Sequence, residues 1–249
     1  MINTLSIRKL VSYLNNPIEQ GGFWLPNVQR SFVWNEKKIE KFLDSIMREY
    51  PIGHFLVLRT ESPIKYKRFV STFTEKINIT RTSEPINEYK KFLVLDGQQR
   101  MQCLYVSICG SYEGKEMHFN LLSGQEANEE NIKYEFKFMD EKEAPWNFIK
   151  LKDIVNSKER RGITKRNLIT NIQKDCDEFT EEIRYLIDDN LDQVINRFVS
   201  KEIISYDVLD NVDKSNYYDY HDILEIITRT NEGGTILEKE ELIKSIQVN

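Results

Sequence analysis

The stretch FLVLDGQQRM (92–101) joins an apolar run to an apolar helical period through an acid, a glycine, two amides and an arginine. Two arrangements suit that join. In one, Asp96 caps a helix and Gln99, three residues on, reaches back to the N–H of the capping residue, with Gly97 supplying the turn. That arrangement asks nothing of Arg100. In the other, Gly97 lets backbone N–H groups close on an anion at the helix N-terminus, where the helix dipole favours negative charge. Arg100, in the first turn, then adds a bidentate donor suited to phosphate. Each charge-assisted contact of that kind contributes ~1.5–3 kcal/mol. Spacing alone leaves both arrangements standing.

Two further groups of residues could serve chemistry. Gln29 and Arg30 lie in GGFWLPNVQRSFVW (21–34), where a Gln-Arg pair between Val28 and Ser31 also fits the solvent side of an edge strand. Arg229, Asn231, Gly233 and Gly234 follow a helical period, where Asn and Gly are ordinary helix-ending residues but Arg229 is left over. The sequence holds no G-x-x-x-x-G-K-[ST] phosphate loop; GSYEGKE (110–116) has the wrong spacing and no hydroxyl after its lysine. His54, His118 and His221 are far apart in sequence, which argues against H-N-H and H-E-x-x-H centres. Cys103, Cys109 and Cys176 form no C-x-x-C pair, and Cys103 and Cys109 read as small core residues.

The elements that must position these residues follow from periodicity. Residues 21–34 are aromatic and β-branched and broken by Pro26, so they read as extended chain or edge strand. Asn35 suits an N-cap, and Ile39, Phe42, Leu43, Ile46, Met47 and Tyr50 keep helical spacing until Pro51. GHFLVLR (53–59) and KKFLVLD (90–96) are strand candidates, with a polar loop or hairpin between them. Met101, Leu104, Tyr105 and Ile108 line one helix face, closed by Gly110. Residues 117–124 and 134–140 alternate like paired strands, and 201–210 gives one more strand. The chain beyond Pro145 is otherwise mainly helical, with a late helix around Tyr220–Ile227 and a short one at ELIKSI. The class is α+β.

DGQQR after an apolar strand resembles the hallmark of the GmrSD-type restriction endonuclease N-terminal domain family. LPNVQRSFVWNEKKIEKFLDSI resembles that family's proline, Gln-Arg, aromatic-Trp and helix pattern, and ITRTNEGGTILEKEEL its closing Arg-x-Asn-x-Gly-Gly and acidic-Leu segment. The three stretches keep the family's order and span residues 21–246. The resemblance implies a ParB/sulfiredoxin-like mixed-sheet nucleotide-binding core over residues 1–145. A helical part, 146–249, would pack back on it as one structural unit. It implies a nucleoside triphosphate pocket made by Gly97, Gln98, Gln99 and Arg100, joined by Gln29, Arg30, Arg229, Asn231 and Gly233. Sulfiredoxins carry a reactive cysteine just after that glycine; Gln98 stands there in this chain and cannot act as nucleophile. The Ile227-Thr228 pair departs from the apolar-aromatic pair that usually precedes the closing arginine.

The resemblance further implies slow NTP hydrolysis with Mg²⁺. Asp96 would be the metal ligand or water-orienting group, with Arg100 and Gln99 beside it. Family members are linked to sensing modified DNA in phage defence, and a separate nuclease or DNA-recognition partner is expected to do the cutting. A non-catalytic DNA- or protein-binding module using the same groove is the competing expectation.

Composition narrows these readings. At 249 residues, 40% hydrophobic and 30% charged, the chain is an ordinary globular one. A net charge of −5 excludes a basic arm coating DNA, so DNA contact would need a local patch such as SKERRGITKR (157–166). Mixed charge in MINTLSIRKLVSYL argues against a signal peptide, and no apolar run approaches membrane-spanning length, so a cytoplasmic location is expected.

Overall fold

The computed structural model describes residues 2–27, 32–61, 64–74, 82–83, 90–157, 161–176, 179–212 and 218–231. The expected closing helix ELIKSI and residues 232–234 of the NEGG break fall outside them.

The chain begins with strand β1 (Asn3–Leu5) and helix α1 (Ile7–Tyr13), which Ser6 caps through its hydroxyl. Strand β2 (Phe23–Pro26) leads to α2 (Glu36–Met47), where Asn35 Oδ1 accepts from Lys38 N–H at 3.0 Å, as the sequence predicts. The helix stops three residues short of the expected Tyr50. Glu49 turns left-handed at φ 61°, so the backbone leaves the helix before Pro51 acts.

Strands β3 (His54–Thr60) and β7 (Lys91–Asp96) are the two FLVL segments, separated by the short strands β4 (Tyr66–Lys67), β5 (Thr72–Phe73) and β6 (Thr82–Ser83). Helix α3 (Gln98–Cys109) follows directly. Next come β8 (Ser111–Tyr112), β9 (Glu116–Asn120), β10 (Phe136–Met139) and β11 (Phe148–Lys150). The back of the chain holds α4 (Leu151–Val155), α5 (Arg161–Asp175), α6 (Glu181–Val194), β12 (Ile204–Asn211) and α7 (Tyr220–Asn231). The architecture is α+β with a mixed sheet.

The main sheet runs β1-β12-β3-β7-β2-β4-β6. Its centre is buried on both faces, which is why β3 and β7 read as unbroken apolar runs rather than alternating ones. Phe55, Val57 and Val94 pack on one face with Leu43 of α2 and Met101 of α3. Leu58, Leu93, Leu95 and Trp24 pack on the other with Ile223 of α7. The period of two along each strand divides the two cores. Where extended chain or an edge strand is expected, β2 is a strand in an inner position, between β7 and β4. Pro26 is tolerated because it is the strand's last residue, past the Phe23 and Trp24 pairings with β7.

The expected pairing of 117–124 with 134–140 is present as β9 with β10, antiparallel, and β11 adds to the other side of β9. Asp44 of α2, buried, accepts from the N–H groups of Lys133 (3.1 Å) and Tyr134 (2.8 Å), tying α2 to the chain just before β10. Cys103 is buried as expected, whereas Cys109, in the last turn of α3, is exposed. No helix among the described residues is long and apolar enough to cross a membrane.

Candidate functional site

β7 ends at Asp96, and Gly97 takes φ 85° and ψ 10°, a left-handed turn that starts α3 at Gln98. The position demands glycine twice over. Side chains other than glycine rarely adopt that φ, and a Cβ there would overlap the Phe55 ring, 2.7 Å from Cε1. The capping residue is therefore Gly97 rather than Asp96, and it has no side chain with which to cap α3. The capping-box arrangement is overturned, because the left-handed glycine moves the helix start one residue past the acid. Gln99 Oε1 instead accepts from the N–H of Val33 at 3.1 Å. The first-turn N–H groups of α3 have no carbonyl within their own helix.

The other side chains of the turn are placed as follows. Asp96 is half exposed at 46%. Gln98 is buried and turns inward, its amide donating to Val94 O (2.5 Å) and Leu95 O (3.3 Å). Arg100 donates to Ile52 O, to His54 O at 3.2 Å and toward Asp96 Oδ2 at 3.5 Å, and its guanidinium lies 4.7 Å from the Phe55 ring centre. Burial lowers its pKa, opposed by Asp96. Arg100 thus clamps the start of β3 to the start of α3. Gly53 (φ 84°) makes the space: a Cβ there would overlap Nη1 and lie 3.1 Å from Cζ.

Asp96, Gly97, Gln98, Gln99 and Arg100 are brought together, as their adjacency requires. Gln29 and Arg30 lie outside the described residues. β2, which precedes them, runs parallel to β7 and so ends at the same edge of the sheet, and Val33, which follows them, is bonded to Gln99. Arg229 lies on α7, which packs on β7, but its partner is Glu225, one turn back at 2.9 Å, and its side chain is 72% exposed. The side chain of Asn231 is not described, and Gly233 and Gly234 lie outside the described residues. In the basic stretch 157–166, Lys165 is paired with Asp188 (2.8 Å) and Asp192 (2.6 Å) of α6, which neutralises part of that surface.

A metal fit at this turn rests on Asp96. Among the described residues no three His, Cys, Asp or Glu side chains gather in a way that could hold an ion. One accessible carboxylate is nevertheless a reasonable partner for Mg²⁺, which takes one or two carboxylates plus substrate phosphates.

One constellation was invisible to spacing. His54 Nδ1 lies 3.0 Å from Ser205 Oγ, and His54 Nε2 lies 3.1 Å from Asp207 Oδ2. These residues come from β3 and β12, parallel neighbours in which His54 faces Ser205 and Leu56 faces Asp207. Leu56 also faces Asp96 on its other side, so this group and the DGQQR turn share one end of the sheet.

The class defined by this geometry is an α+β domain in which a central strand of a mixed sheet ends in a glycine turn that opens a helix. The chain belongs to the family described as GmrSD restriction endonuclease, N-terminal domain, whose model matches residues 10–247. It is therefore a restriction-system-related domain. A stretch of 91 residues is 33% identical to an uncharacterized protein of Methanocaldococcus jannaschii, covering 36% of this chain and 15% of that protein. The chain thus matches only a small part of that relative's length.

Proposed function

We propose that this chain binds a nucleoside triphosphate at the Asp96–Arg100 turn, hydrolyses it slowly, and thereby controls a separate nuclease or DNA-recognition partner in a prokaryotic defence system. The observation that carries the reading is the start of α3. Its first-turn N–H groups follow a left-handed glycine that has no side chain to cap them, and they open at the C-terminal end of a central strand. Such a terminus favours phosphate. The family supports the restriction-system context. The core is, on this proposal, of the ParB/sulfiredoxin type, in which a Gly-x-x-Arg turn meets nucleotide phosphates.

The residues divide the work. Backbone N–H groups of the turn meet the phosphates, and Asp96 holds the Mg²⁺ that neutralises them. Arg100, engaged with two carbonyls, places its charge behind the turn and keeps β3 and α3 in register. Gln99 ties the segment after Gln29 and Arg30 to the same helix start, and those two residues and the Arg229–Gly233 segment complete the pocket.

The test is binding and turnover of a panel of NTPs with Mg²⁺, comparing wild type with Asp96→Asn and Arg100→Ala and checking folding by circular dichroism. Micromolar binding of one NTP, weakened at least tenfold by Asp96→Asn in a folded protein, supports the reading. If folded wild type binds no nucleotide at millimolar concentration, the reading fails. The alternative of a DNA- or protein-binding module would then lead, with salt dependence separating duplex DNA from a protein partner.

A further inference from the structure

We propose that Ser205, His54 and Asp207 form a serine-nucleophile relay able to accept an acyl group from an activated ester, an activity separate from nucleotide binding. The relay arises from sheet geometry. Ser205 and Asp207 are two residues apart on β12, so they project to one face roughly 6–7 Å apart. His54, on the parallel neighbour β3, sits opposite Ser205 and bridges the two, 3.0 Å from one and 3.1 Å from the other. An ionised carboxylate only accepts, so Asp207 fixes the ring proton on Nε2. Nδ1 then presents its lone pair to Ser205, whose hydroxyl donates to it. That is the arrangement a serine needs in order to be activated by an adjacent base, and the exchange of the two ring nitrogens does not alter its logic.

Two more observations support chemistry over a passive cross-strand contact. The backbone carrying the imidazole is clamped, because Arg100 donates to His54 O at 3.2 Å and also to Ile52 O. The group is also open, with the His54 and Asp207 side chains 41% and 47% exposed, so a small ester can reach it.

The step balances as follows. Ser205 Oγ bonds to the acyl carbon while its proton passes to His54 Nδ1, and the imidazolium is stabilised by Asp207. The bond to the leaving alkoxide then breaks as His54 returns the proton to that oxygen. Water repeats the sequence on the acyl-serine, releasing the acid and restoring Ser205. Exposure screens Asp207, so its loss should cost about tenfold rather than the roughly ten-thousandfold seen when the aspartate of such a triad is buried.

The test uses a fluorophosphonate probe on the full chain at pH 8, with peptide mass mapping. The serine oxygen would bond to phosphorus and fluoride would leave. The expected adduct lies on Ser205, is absent in Ser205→Ala, forms at least a hundredfold more slowly in His54→Ala and His54→Gln, and forms about tenfold more slowly in Asp207→Asn. Circular dichroism confirms that each variant is folded, and none of these readouts depends on a nucleotide. Absence of label on Ser205 in wild type, or labelling at an unchanged rate in a folded His54 variant, would overturn the proposal and leave the trio as a hydrogen-bonded tie between β12 and β3.

Discussion

Gly97→Ala tests the turn that the whole site depends on. The substitution places a Cβ at φ 85° and drives it into the Phe55 ring, which is fully buried between the sheet and α3. The left-handed backbone costs roughly 1–2 kcal/mol, and overpacking adds roughly 1–3 kcal/mol. A more restricted unfolded chain returns about 0.4–1 kcal/mol, leaving a loss of about 3 kcal/mol. For a chain of this size each kcal/mol lowers Tm by about 2–4 °C, so calorimetry should show a fall of about 6–12 °C. The overlap component is separable. In Phe55→Leu the ring is gone, so a double-mutant cycle should give a favourable coupling of about 1–2 kcal/mol between the two positions, while the backbone component persists. A Gly97→Ala protein melting within 1 °C of wild type, or a cycle with no coupling, would refute the reasoning that a left-handed glycine packed on Phe55 sets the start of α3.

Three other perturbations have defined outcomes. The Glu40 pKa is pushed up to about 7 by burial and by Glu36. Its carboxyl therefore binds a proton more tightly folded than unfolded, and stability present at low pH is lost as pH rises from about 4.5 through 7. The full linkage is ~3 kcal/mol, reduced to about 1–2 kcal/mol because Glu40 is partly exposed. Glu40→Gln should accordingly gain about that much over wild type between pH 5 and pH 8 in urea denaturation, and a pH-independent difference would contradict the assignment. Asp44→Ala strips two backbone N–H groups of a charged acceptor and should cost about 3 kcal/mol, read as a lower urea midpoint. Lys91 is fully buried, its Nζ meets no hydrogen-bond partner among the described residues, and burial lowers its pKa. Lys91→Met should stabilise the protein by about 1–3 kcal/mol at pH 7, and the gain should shrink toward pH 10, where the unfolded lysine also loses its proton.

Much of the frame was legible because local rules and tertiary packing agree. Strands β3 and β7 were readable from unbroken apolar runs, and α2 and α3 from helical periods, with Asn35 as a true cap. The cap of α3 was left open because the choice between Asp96 and Gly97 depends on where Phe55 lies, and Phe55 is about 40 residues away in sequence. The inner position of β2 was hidden for a similar reason. Pro26 lies past the β7 pairing and is the last residue of the β4 pairing, opposite Tyr66, where the strand can end on a residue without an N–H. Within the site, the adjacency of Asp96 to Arg100 was given by the chain itself, but the engagement of Arg100 with Ile52 O and His54 O was not. The group of His54, Ser205 and Asp207 left no signal in spacing at all. It exists because β12 pairs parallel to β3 across about 150 residues in one register, and a slip of one residue would send the side chains to opposite faces.

The central claim is that triphosphate sits on the first turn of α3, and backbone amide shifts in NMR test it most directly. On titration with Mg²⁺ and the NTP that binds, the N–H resonances of Gly97, Gln98 and Gln99 should move together, saturating at the same concentration as binding, while those of the β9–β10 pair stay fixed. Saturable nucleotide binding that leaves these three amides unmoved would place the ligand elsewhere and contradict the account.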